Sequence, residues 1–386
     1  MENEKVMPVG ELGIIGMQGC EELMQSVDQY ISSWRKERAI QNPLMGLGDH
    51  WKETYKIEAM CPRFGTGEAK GLIKQSVRGD DLFIICDVFN YGVAYNMYGK
   101  EIPMSPDDHF CDLKRVIAAA GGKARRITVI MPMLYEGRQH KRSSRESLDC
   151  ALALQELVNM GVDNIITFDA HDPRVQNAIP LRGFENVHPN YQMIKKIVKT
   201  VPDIKLTDPC QTMIVSPDEG GMSRCIYYSS VLGLELGMFY KRRDYSTIVN
   251  GRNPIVCHEF LGDNVEGKDV IIVDDMISSG DSIIDICKQL QEMKAKRVFV
   301  FASFGLFVEG IERFDEAYEQ GMLNKVFTTN LIYRTPELRE RPWYSEVDMS
   351  KYIALIIDTL NYDKSISELL NPVNRIKNFL NKINNN

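Results

Sequence analysis

The sequence has no excess of positive charge: 46 Lys and Arg stand against 53 Asp and Glu, which gives a formal net charge of −7 at pH 7. Proteins that coat nucleic acids usually carry a surplus of Lys and Arg to neutralise phosphates, so this balance argues against that role. The chain also lacks an apolar run near the roughly 18 residues that a membrane-spanning helix needs. We therefore expect neither a nucleic-acid partner nor a membrane span.

Paired cysteines are also missing. The nine cysteines are scattered, none forms a Cys-x-x-Cys pair, and their number is odd. This pattern is typical of free thiols in a reducing compartment. The N-terminal stretch MENEKVMPVGELG has no positively charged region followed by an apolar one, as a signal peptide would. The sequence therefore predicts a cytoplasmic protein.

Short apolar runs alternate with amphipathic stretches from Tyr55 onward, and this pattern predicts an α/β fold. Continuous apolar strands separated by helices indicate mostly parallel sheets flanked by helices, and 386 residues suffice for two such domains. Ligands of such sheets bind beyond the carboxyl ends of the strands. The predicted strands are 81–89, 127–134, 164–169, 212–216, 269–275, 297–304 and 325–330, and the predicted helices between them include 146–161 and 282–293.

Composition shifts divide the chain into four predicted segments. The first contains a helix predicted from Glu21 to about Arg38, and the last ends in a polar tail that we expect to be frayed from about Asn371. Residues 90–110 are rich in turn-forming residues and predict a loop or insertion. The segments are an accessory segment (1–54), two α/β domains (55–187 and 188–345) and a C-terminal helical segment with its tail (346–386).

The strongest chemical signal is VIIVDDMISSGDSIIDICKQL (270–290), in which a predicted strand runs into Asp274 and Asp275. Adjacent carboxylates at a strand end can accept hydrogen bonds from two vicinal hydroxyls. A small-residue loop at a helix N-terminus favours a phosphate. A diol and a phosphate together describe ribose 5-phosphate, although the same residues could simply cap a helix. The loop residues are Ser278, Ser279, Gly280, Asp281 and Ser282.

This segment resembles the phosphoribosyl-pyrophosphate-binding motif that phosphoribosyltransferases share with ribose-phosphate pyrophosphokinases. Further stretches resemble the pyrophosphokinases in particular, in the family's own order from about Cys61 to Asn330. They are RFGTGEAKGLIKQSVRGDDLFII (63–85), YEGRQHKR (135–142), ITFDAHDPRVQ (166–176), IVSPDEGGMSR (214–224) and YKRRDYSTIV (240–249).

The resemblance implies two phosphoribosyltransferase-type domains, the second carrying the ribose-5-phosphate site. It implies transfer of a pyrophosphoryl group from ATP to ribose 5-phosphate, with Mg2+ as cofactor. It also implies a homo-oligomer, because the family's adenine site borrows residues from a neighbouring subunit. The implied roles are Lys241 and Arg243 in the catalytic loop, Asp218 near the sugar and the metal, Asp169 and His171 at the metal, Arg138 and Gln139 at the nucleotide, and Phe64 and Glu68 at the neighbour's adenine.

Each of these residues also has a plainer interpretation. His171 could cap a turn, and Lys241 and Arg243 could be surface charges. Residues i and i+2 of an extended segment face the same side, however, and two cations aimed at a phosphate site would stabilise developing negative charge. The basic cluster at 138–145 could be a solvated face or a nucleic-acid contact, but a nucleotide site after a predicted strand is the preferred interpretation.

Three positions depart from the family pattern: Thr66, His140 where Asp is usual, and Asp281 where Gly is usual. An Asp beside a phosphate site is unfavourable unless it turns away or meets a cation. These departures favour one alternative, a non-catalytic regulatory paralogue, while Lys241 and His171 count against it. A phosphoribosyltransferase is the other alternative, and it would be expected to lack the Lys-x-Arg and Asp-x-His stretches.

Overall fold

The structure is a computed structural model that describes residues 7–41, 51–243 and 255–384. The strands are β1 Leu12–Gly16, β2 Ala59–Met60, β3 Leu72–Ile73, β4 Asp81–Ile85, β5 Ala94–Met97, β6 Lys100–Pro103, β7 Arg126–Ile130, β8 Asn164–Phe168, β9 Gly183–Val187, β10 Thr212–Ser216, β11 Glu235–Arg243, β12 Ile255–Leu261, β13 Asp269–Ile277, β14 Arg297–Gly305, β15 Lys325–Thr329 and β16 Tyr344–Val347. The α-helices are α1 Glu21–Gln41, α2 Pro106–Ala120, α3 Asp149–Asn159, α4 Asn190–Thr200, α5 Met222–Leu232, α6 Asp281–Glu292, α7 Glu312–Glu319, α8 Pro336–Arg339, α9 Ser350–Asn361, α10 Ser367–Leu370 and α11 Val373–Asn384, and a 3-10 helix spans Pro173–Ala178.

The chain forms two compact units, and each has its own mostly parallel sheet. The first unit comprises the chain up to His188 together with Asn330–Tyr333 and Asp348–Asn371. Its five-stranded sheet has the order β1-β4-β7-β8-β9, with every pair parallel. Most of the buried side chains of the central strands are apolar, and Leu82, Ile84 and Val129 are all completely buried.

The second unit is built around a seven-stranded sheet of order β12-β11-β10-β13-β14-β15-β16. All its neighbours are parallel except β11 and β12, which pair antiparallel at one edge. The core on one side of β13 is formed by residues such as Val270, Ile272 and Val300, which have no exposed surface. The predicted α/β fold with two mostly parallel sheets is therefore confirmed.

Each of the two sheets has its own Asp–Arg pair at the amino ends of two neighbouring strands. In the first sheet Asp81 of β4 is in register with Arg126 of β7, and the guanidinium binds both carboxylate oxygens at 2.8 and 2.7 Å. In the second sheet Asp269 of β13 is in register with Arg297 of β14, with contacts of 2.8 and 2.6 Å. Such bidentate pairs fix strand register. They lie at the sheet edge opposite to the strand carboxyl ends, which leaves those ends for ligands.

The structure corrects three expectations about segments. In the predicted accessory segment, the helix expected from Glu21 to about Arg38 is confirmed as α1, but β1 was not predicted and is the edge strand of the first sheet. Residues 94–103, predicted to be a loop, form the β5–β6 hairpin, and α2 begins at Pro106 behind a capping box made by Ser105 and Asp108. The predicted frayed tail is instead helix α11, since Ile376 is completely buried and Leu380 is 7% exposed.

No helix in the described ranges is long and apolar enough to cross a membrane. The eight cysteines whose side chains the structure describes are free thiols.

Candidate active site

The paired acids lie inside β13. The strand was predicted to end at Asp275, but it continues to Ile277 because β14 is long enough to pair with it as far as Gly305. The backbone N–H of Asp275 donates to Oδ1 of Asp274 at 2.8 Å, and the N–H of Met276 donates to Oδ1 of Asp275 at 3.0 Å. Both carboxylates are therefore held by the strand that carries them.

Burial gives this pair unusual electrostatics. Asp275 is only 4% exposed, and Nη2 of Arg224 from α5 lies 3.5 Å from its Oδ2. Burial raises the pKa of Asp274 well above its ordinary value, and the negative charges of Asp275 and Asp218 raise it further. The charged form of Asp274 is therefore unfavourable in the free protein, and ligand hydroxyls that donate hydrogen bonds to it would stabilise it.

Asp218 joins the acids from the neighbouring strand. It follows β10, which pairs in parallel with β13, so the carboxyl ends of the two strands lie side by side. Its Oδ1 accepts hydrogen bonds from the N–H groups of Gly220 and Gly221 at 2.9 and 3.2 Å, and Ser216 Oγ donates to its carbonyl at 2.7 Å. Its negative charge is one of the causes that raise the pKa of Asp274.

The predicted phosphate loop follows β13 as a tight turn. Gly280 is the N-cap of α6 with a φ of +90°, in the left-handed region that favours glycine. A Cβ at this position would lie 2.4 Å from the ring of Phe314, so the site has no room for a side chain. Ser278 is anchored through its carbonyl, which accepts from the N–H of Val308 at 3.0 Å. Because α6 begins at Asp281, both Asp281 and Ser282 lie in the first turn of the helix and not in the loop.

Asp281 forms an ion pair with a cationic side chain. Its carboxylate forms an ion pair with the guanidinium of Arg313 from α7, and both side chains are about half exposed. Arg313 also approaches Glu309 at 3.9 Å. The charge that made Asp281 unfavourable beside a phosphate is therefore opposed by a neighbouring cation.

In the first unit Asp169 and His171 follow β8, as predicted. Asp169 has a φ of +41° and is 5% exposed. Its N–H donates to the carbonyl of Val187 at 2.8 Å, and His188 Nδ1 lies 3.4 Å from its Oδ1. His171 is exposed. The strand end thus presents one fixed carboxylate and one accessible imidazole.

The predicted metal ligands fit a magnesium ion only in part. Within the described ranges no three His, Cys, Asp or Glu side chains are placed to hold a metal ion by themselves. Mg2+ usually binds through one or two carboxylates together with water and substrate phosphates. Asp169 with His171 in the first unit, and Asp218 in the second, are of the right chemical kind for such a substrate-dependent site.

The predicted nucleotide residues are accessible. Arg138 is exposed, and the amide of Gln139 donates to the carbonyl of Ser147 at 2.9 Å. Phe64 is 56% exposed at the tip of a turn in which its N–H donates to the carbonyl of Glu68 at 2.7 Å. Glu68 in turn accepts from the Thr66 hydroxyl at 2.8 Å. An exposed aromatic ring on a hydrogen-bonded turn is suited to stacking on a planar ligand.

The side chains of Lys241 and Arg243 lie outside the described residues. Their backbone belongs to β11, where Lys241 pairs with His258 and Arg243 with Ile255 of β12. Both residues thus stand near the end of the ladder, before the strand ends at Arg243.

Sequence reasoning missed two cations of the second unit. Arg224 lies within the IVSPDEGGMSR stretch, where a basic residue at the start of a helix after an acidic turn was a usable signal. Arg313 gave no such signal, because it lies 32 residues from Asp281 on another helix and only the packing of α6 against α7 brings the two together.

Comparison with known proteins supports this fold. A family model of the N-terminal domain of ribose phosphate pyrophosphokinase matches residues 12–161, and a phosphoribosyl transferase domain model matches residues 184–310. A crystal structure of phosphoribosylpyrophosphate synthetase from Mycobacterium smegmatis superimposes with a TM-score of 0.71 at 21% identity, covering 92% of this chain and 99% of that one. Fold and site thus define a protein with two phosphoribosyltransferase-type domains.

Curated relatives match over both units. The ribose-phosphate pyrophosphokinase of Vibrio cholerae is 28% identical over 319 residues, which cover 81% of this chain and 91% of that protein. Ribose-phosphate pyrophosphokinase A of Dictyostelium discoideum is 26% identical over 314 residues, with 81% and 89% covered. The chain belongs to the ribose-phosphate pyrophosphokinase family, of which it is a divergent member.

Proposed function

We propose that this protein is a ribose-phosphate diphosphokinase, which transfers a pyrophosphoryl group from ATP to O1 of ribose 5-phosphate and releases 5-phosphoribosyl 1-pyrophosphate and AMP. Family membership supports the class of reaction. The observation that carries the proposal for this chain is the continuous arrangement along β13, where Asp274 and Asp275 are followed by the Gly280 turn and the N-terminus of α6.

In this proposal the two acids hold the ribose ring. Asp274 and Asp275 accept hydrogen bonds from the two vicinal hydroxyls, and a hydrogen bond to a charged group contributes about 1.5–3 kcal/mol. The sugar hydroxyls stabilise the charged form of Asp274, whose pKa is raised in the free protein by burial and by its acidic neighbours. Ribose binding and proton release from Asp274 are therefore linked.

The turn after β13 holds the 5-phosphate. Residues 278–282 surround the N-terminus of α6, where backbone N–H groups and the helix dipole favour an anion. Gly280 lets the backbone turn sharply enough for these groups to converge. Arg313 reduces the repulsion that Asp281 would otherwise exert on the phosphate.

The transfer itself requires positioning and charge neutralisation more than covalent chemistry. Lys241 and Arg243 stabilise the negative charge that develops on the transferred group and on the leaving AMP. Asp169 and His171 are the proposed Mg2+ ligands of the first unit and Asp218 that of the second, and Mg2+ when bound would neutralise phosphate charge. Arg138 and Gln139 contact the nucleotide, and Phe64 with Glu68 contacts the adenine of a neighbouring subunit in a homo-oligomer. Free cysteines support a reducing, cytoplasmic setting.

One observation favours a second candidate, a regulatory paralogue without activity. Asp281 is a carboxylate in the first turn of the helix that would bind the phosphate, and its side chain is 49% exposed. If Arg313 does not neutralise it when ligand arrives, phosphate binding weakens. A simple phosphoribosyltransferase is disfavoured because the pyrophosphokinase N-terminal model matches residues 12–161.

The test is AMP formation by the purified full chain from ATP and ribose 5-phosphate with Mg2+ and no nucleobase. We expect AMP and phosphoribosyl pyrophosphate in equal amounts, and neither product when ribose 5-phosphate is left out. Binding of nucleotide without AMP release would support the regulatory candidate. Pyrophosphate release from phosphoribosyl pyrophosphate only in the presence of a nucleobase would support a phosphoribosyltransferase.

A further inference from the structure

Two hairpin tips lie side by side in the first unit. One is the turn between β2 and β3 that carries Phe64, and the other is the turn between β5 and β6 at Tyr98. The backbone N–H of Tyr98 donates to the carbonyl of Gly65 at 2.9 Å. Because Gly65 follows Phe64 directly, this hydrogen bond ties the β5–β6 hairpin to the turn on which a proposed nucleotide residue lies.

Side chains of β5 hold the hairpin against this turn. The guanidinium of Arg63 lies over the ring of Tyr95, 4.6 Å from its centroid, and also donates to Asp112 of α2 at 2.9 Å. Met97 lies on the same face of β5 as Tyr95. A Cβ on Gly67 would be 2.9 Å from the Met97 sulfur and 3.5 Å from the Tyr95 ring, so both side chains pack directly on the turn. Packing therefore fixes the hairpin in addition to the hydrogen bond.

The backbone at Tyr98 is strained. Two residues join β5 to β6, and both have positive φ: +49° at Tyr98 and +75° at Gly99. Hairpin turns of this kind favour Asn-Gly or Asp-Gly, and a bulky side chain at the first position is an outlier. Strained residues persist where function requires them and are concentrated at ligand sites. Tyr98 is therefore unfavourable for the turn itself, which points to a role for its side chain.

The Tyr98 side chain is not buried, so burial does not offset this strain. Its exposed fraction is 78%, and that of Phe64 on the adjoining turn is 56%. Aromatic rings stack on planar partners, and stacking on a nucleobase tolerates any base because each has a π face. Two exposed rings on adjoining, packed hairpin tips are thus suited to a ligand that carries a planar ring.

We propose that Tyr98 is a further binding residue of the nucleotide site, and that its ring stacks on the nucleobase of ATP together with Phe64. The inference rests on the proposed function for the identity of the nucleotide. It goes beyond that function by giving the β5–β6 hairpin, where the sequence predicted only a loop or insertion, a part in nucleotide recognition. Stacking by Tyr98 distinguishes ligands that have a base from ligands that have only phosphates.

The experiment is calorimetric binding of ATP and of inorganic tripolyphosphate to the full chain with Mg2+ and without ribose 5-phosphate. Tyr98→Asn removes the ring and introduces a residue that tolerates positive φ. We expect this variant to have a raised Tm and to bind ATP about 5- to 150-fold more weakly, with unchanged affinity for tripolyphosphate. Tyr98→Phe, which keeps the ring, should restore ATP affinity. Leu181→Asn is the matched control, because Leu181 is 94% exposed in the same unit, and it should bind both ligands as the wild type does.

Equal ATP affinity in the wild type and Tyr98→Asn would overturn the proposal. Equal losses of affinity for ATP and tripolyphosphate would overturn it too, because the ring would then not recognise the base. So would a smaller oligomer of Tyr98→Asn in sedimentation, which would show that Tyr98 contacts a second copy of the chain. These measurements need no turnover. A wild type that binds ATP but releases no AMP would therefore refute the proposed reaction and leave the role of Tyr98 intact.

Discussion

The backbone N–H of Asp275 donates to Oδ1 of Asp274 at 2.8 Å, so the strand itself fixes the two acids against each other. This contact keeps a buried carboxylate next to a second negative charge, an arrangement that costs stability unless a ligand offsets it. Active sites commonly carry such a cost. Substitution in this pair therefore tests whether the acids of β13 bind a ligand at the expense of stability.

Asp274→Asn should make the free protein more stable at neutral pH. Asn keeps an oxygen that can accept from Asp275, but it removes the buried charge. The folded pKa of Asp274 lies above the unfolded one, so its charge destabilises the wild type progressively as pH rises between the two values. Each kcal/mol of relief should raise Tm by about 2–4 °C.

Thermal unfolding of both proteins from pH 4 to pH 8 measures this effect. The difference in Tm should be largest at pH 8 and should shrink toward pH 4, where Asp274 takes up its proton. Binding of ribose 5-phosphate should weaken in the variant at every pH. A variant that is less stable than the wild type at pH 8 would contradict this account of the pair.

Gly280→Ala should destabilise the second unit by about 2–4 kcal/mol. The left-handed backbone costs about 1–2 kcal/mol, and the clash of a Cβ with Phe314 adds to it. Gly267→Ala is the matched control, because Gly267 has a φ of +77° but no neighbouring atom within 4 Å of the place where a Cβ would lie. Urea unfolding should show the control losing only about 1–2 kcal/mol. Equal losses of unfolding free energy in the two variants would mean that the clash with Phe314 does not contribute.

Arg313→Gln should raise the KM for ribose 5-phosphate by about twofold to fivefold with little change in kcat, because it exposes the phosphate to the charge of Asp281. The double variant Asp281→Asn with Arg313→Gln should return KM to near the wild-type value. Both side chains are about half exposed, so folding should be unaffected. A double variant as impaired as Arg313→Gln would show that Arg313 acts independently of Asp281.

Lys241→Ala should lower turnover by orders of magnitude while leaving ribose 5-phosphate binding nearly intact, because its proposed role is confined to the transferred group. Arg242→Ala is the control on the same strand and should retain most activity, because no role in the transfer is proposed for Arg242. Single-turnover AMP release and calorimetric binding separate the two effects. Unchanged turnover in Lys241→Ala would remove the catalytic assignment.

Strands with continuous apolar runs were predictable because both faces of a parallel sheet are buried. The run TMIVS corresponds to β10 without a shift, and the runs at 164–169 and 325–330 correspond to β8 and β15 within a residue. The edge elements were missed. Strand β9, with the sequence GFENV, is only partly buried over four of its five residues and carries little periodicity.

Contacts between residues that are distant in the sequence could not be predicted from it. The asparagines around Ile376 and Leu380 suggested a frayed end, yet the tail folds as a helix because those apolar side chains find a buried face. Likewise the partner of Asp281 depends on which elements pack together. Local sequence predicts a ligand site at the acids of β13, but it does not reveal that Arg224 lies beside Asp275 or that Arg313 lies beside Asp281.

The central claim is that ribose 5-phosphate binds along β13, and a crystal soaked with this sugar tests it most directly. We expect density with the two ring hydroxyls on Asp274 and Asp275 and the phosphate at the backbone of residues 278–282. The sugar bound elsewhere, or a turn at Gly280 closed to the phosphate at saturating ligand, would contradict the account.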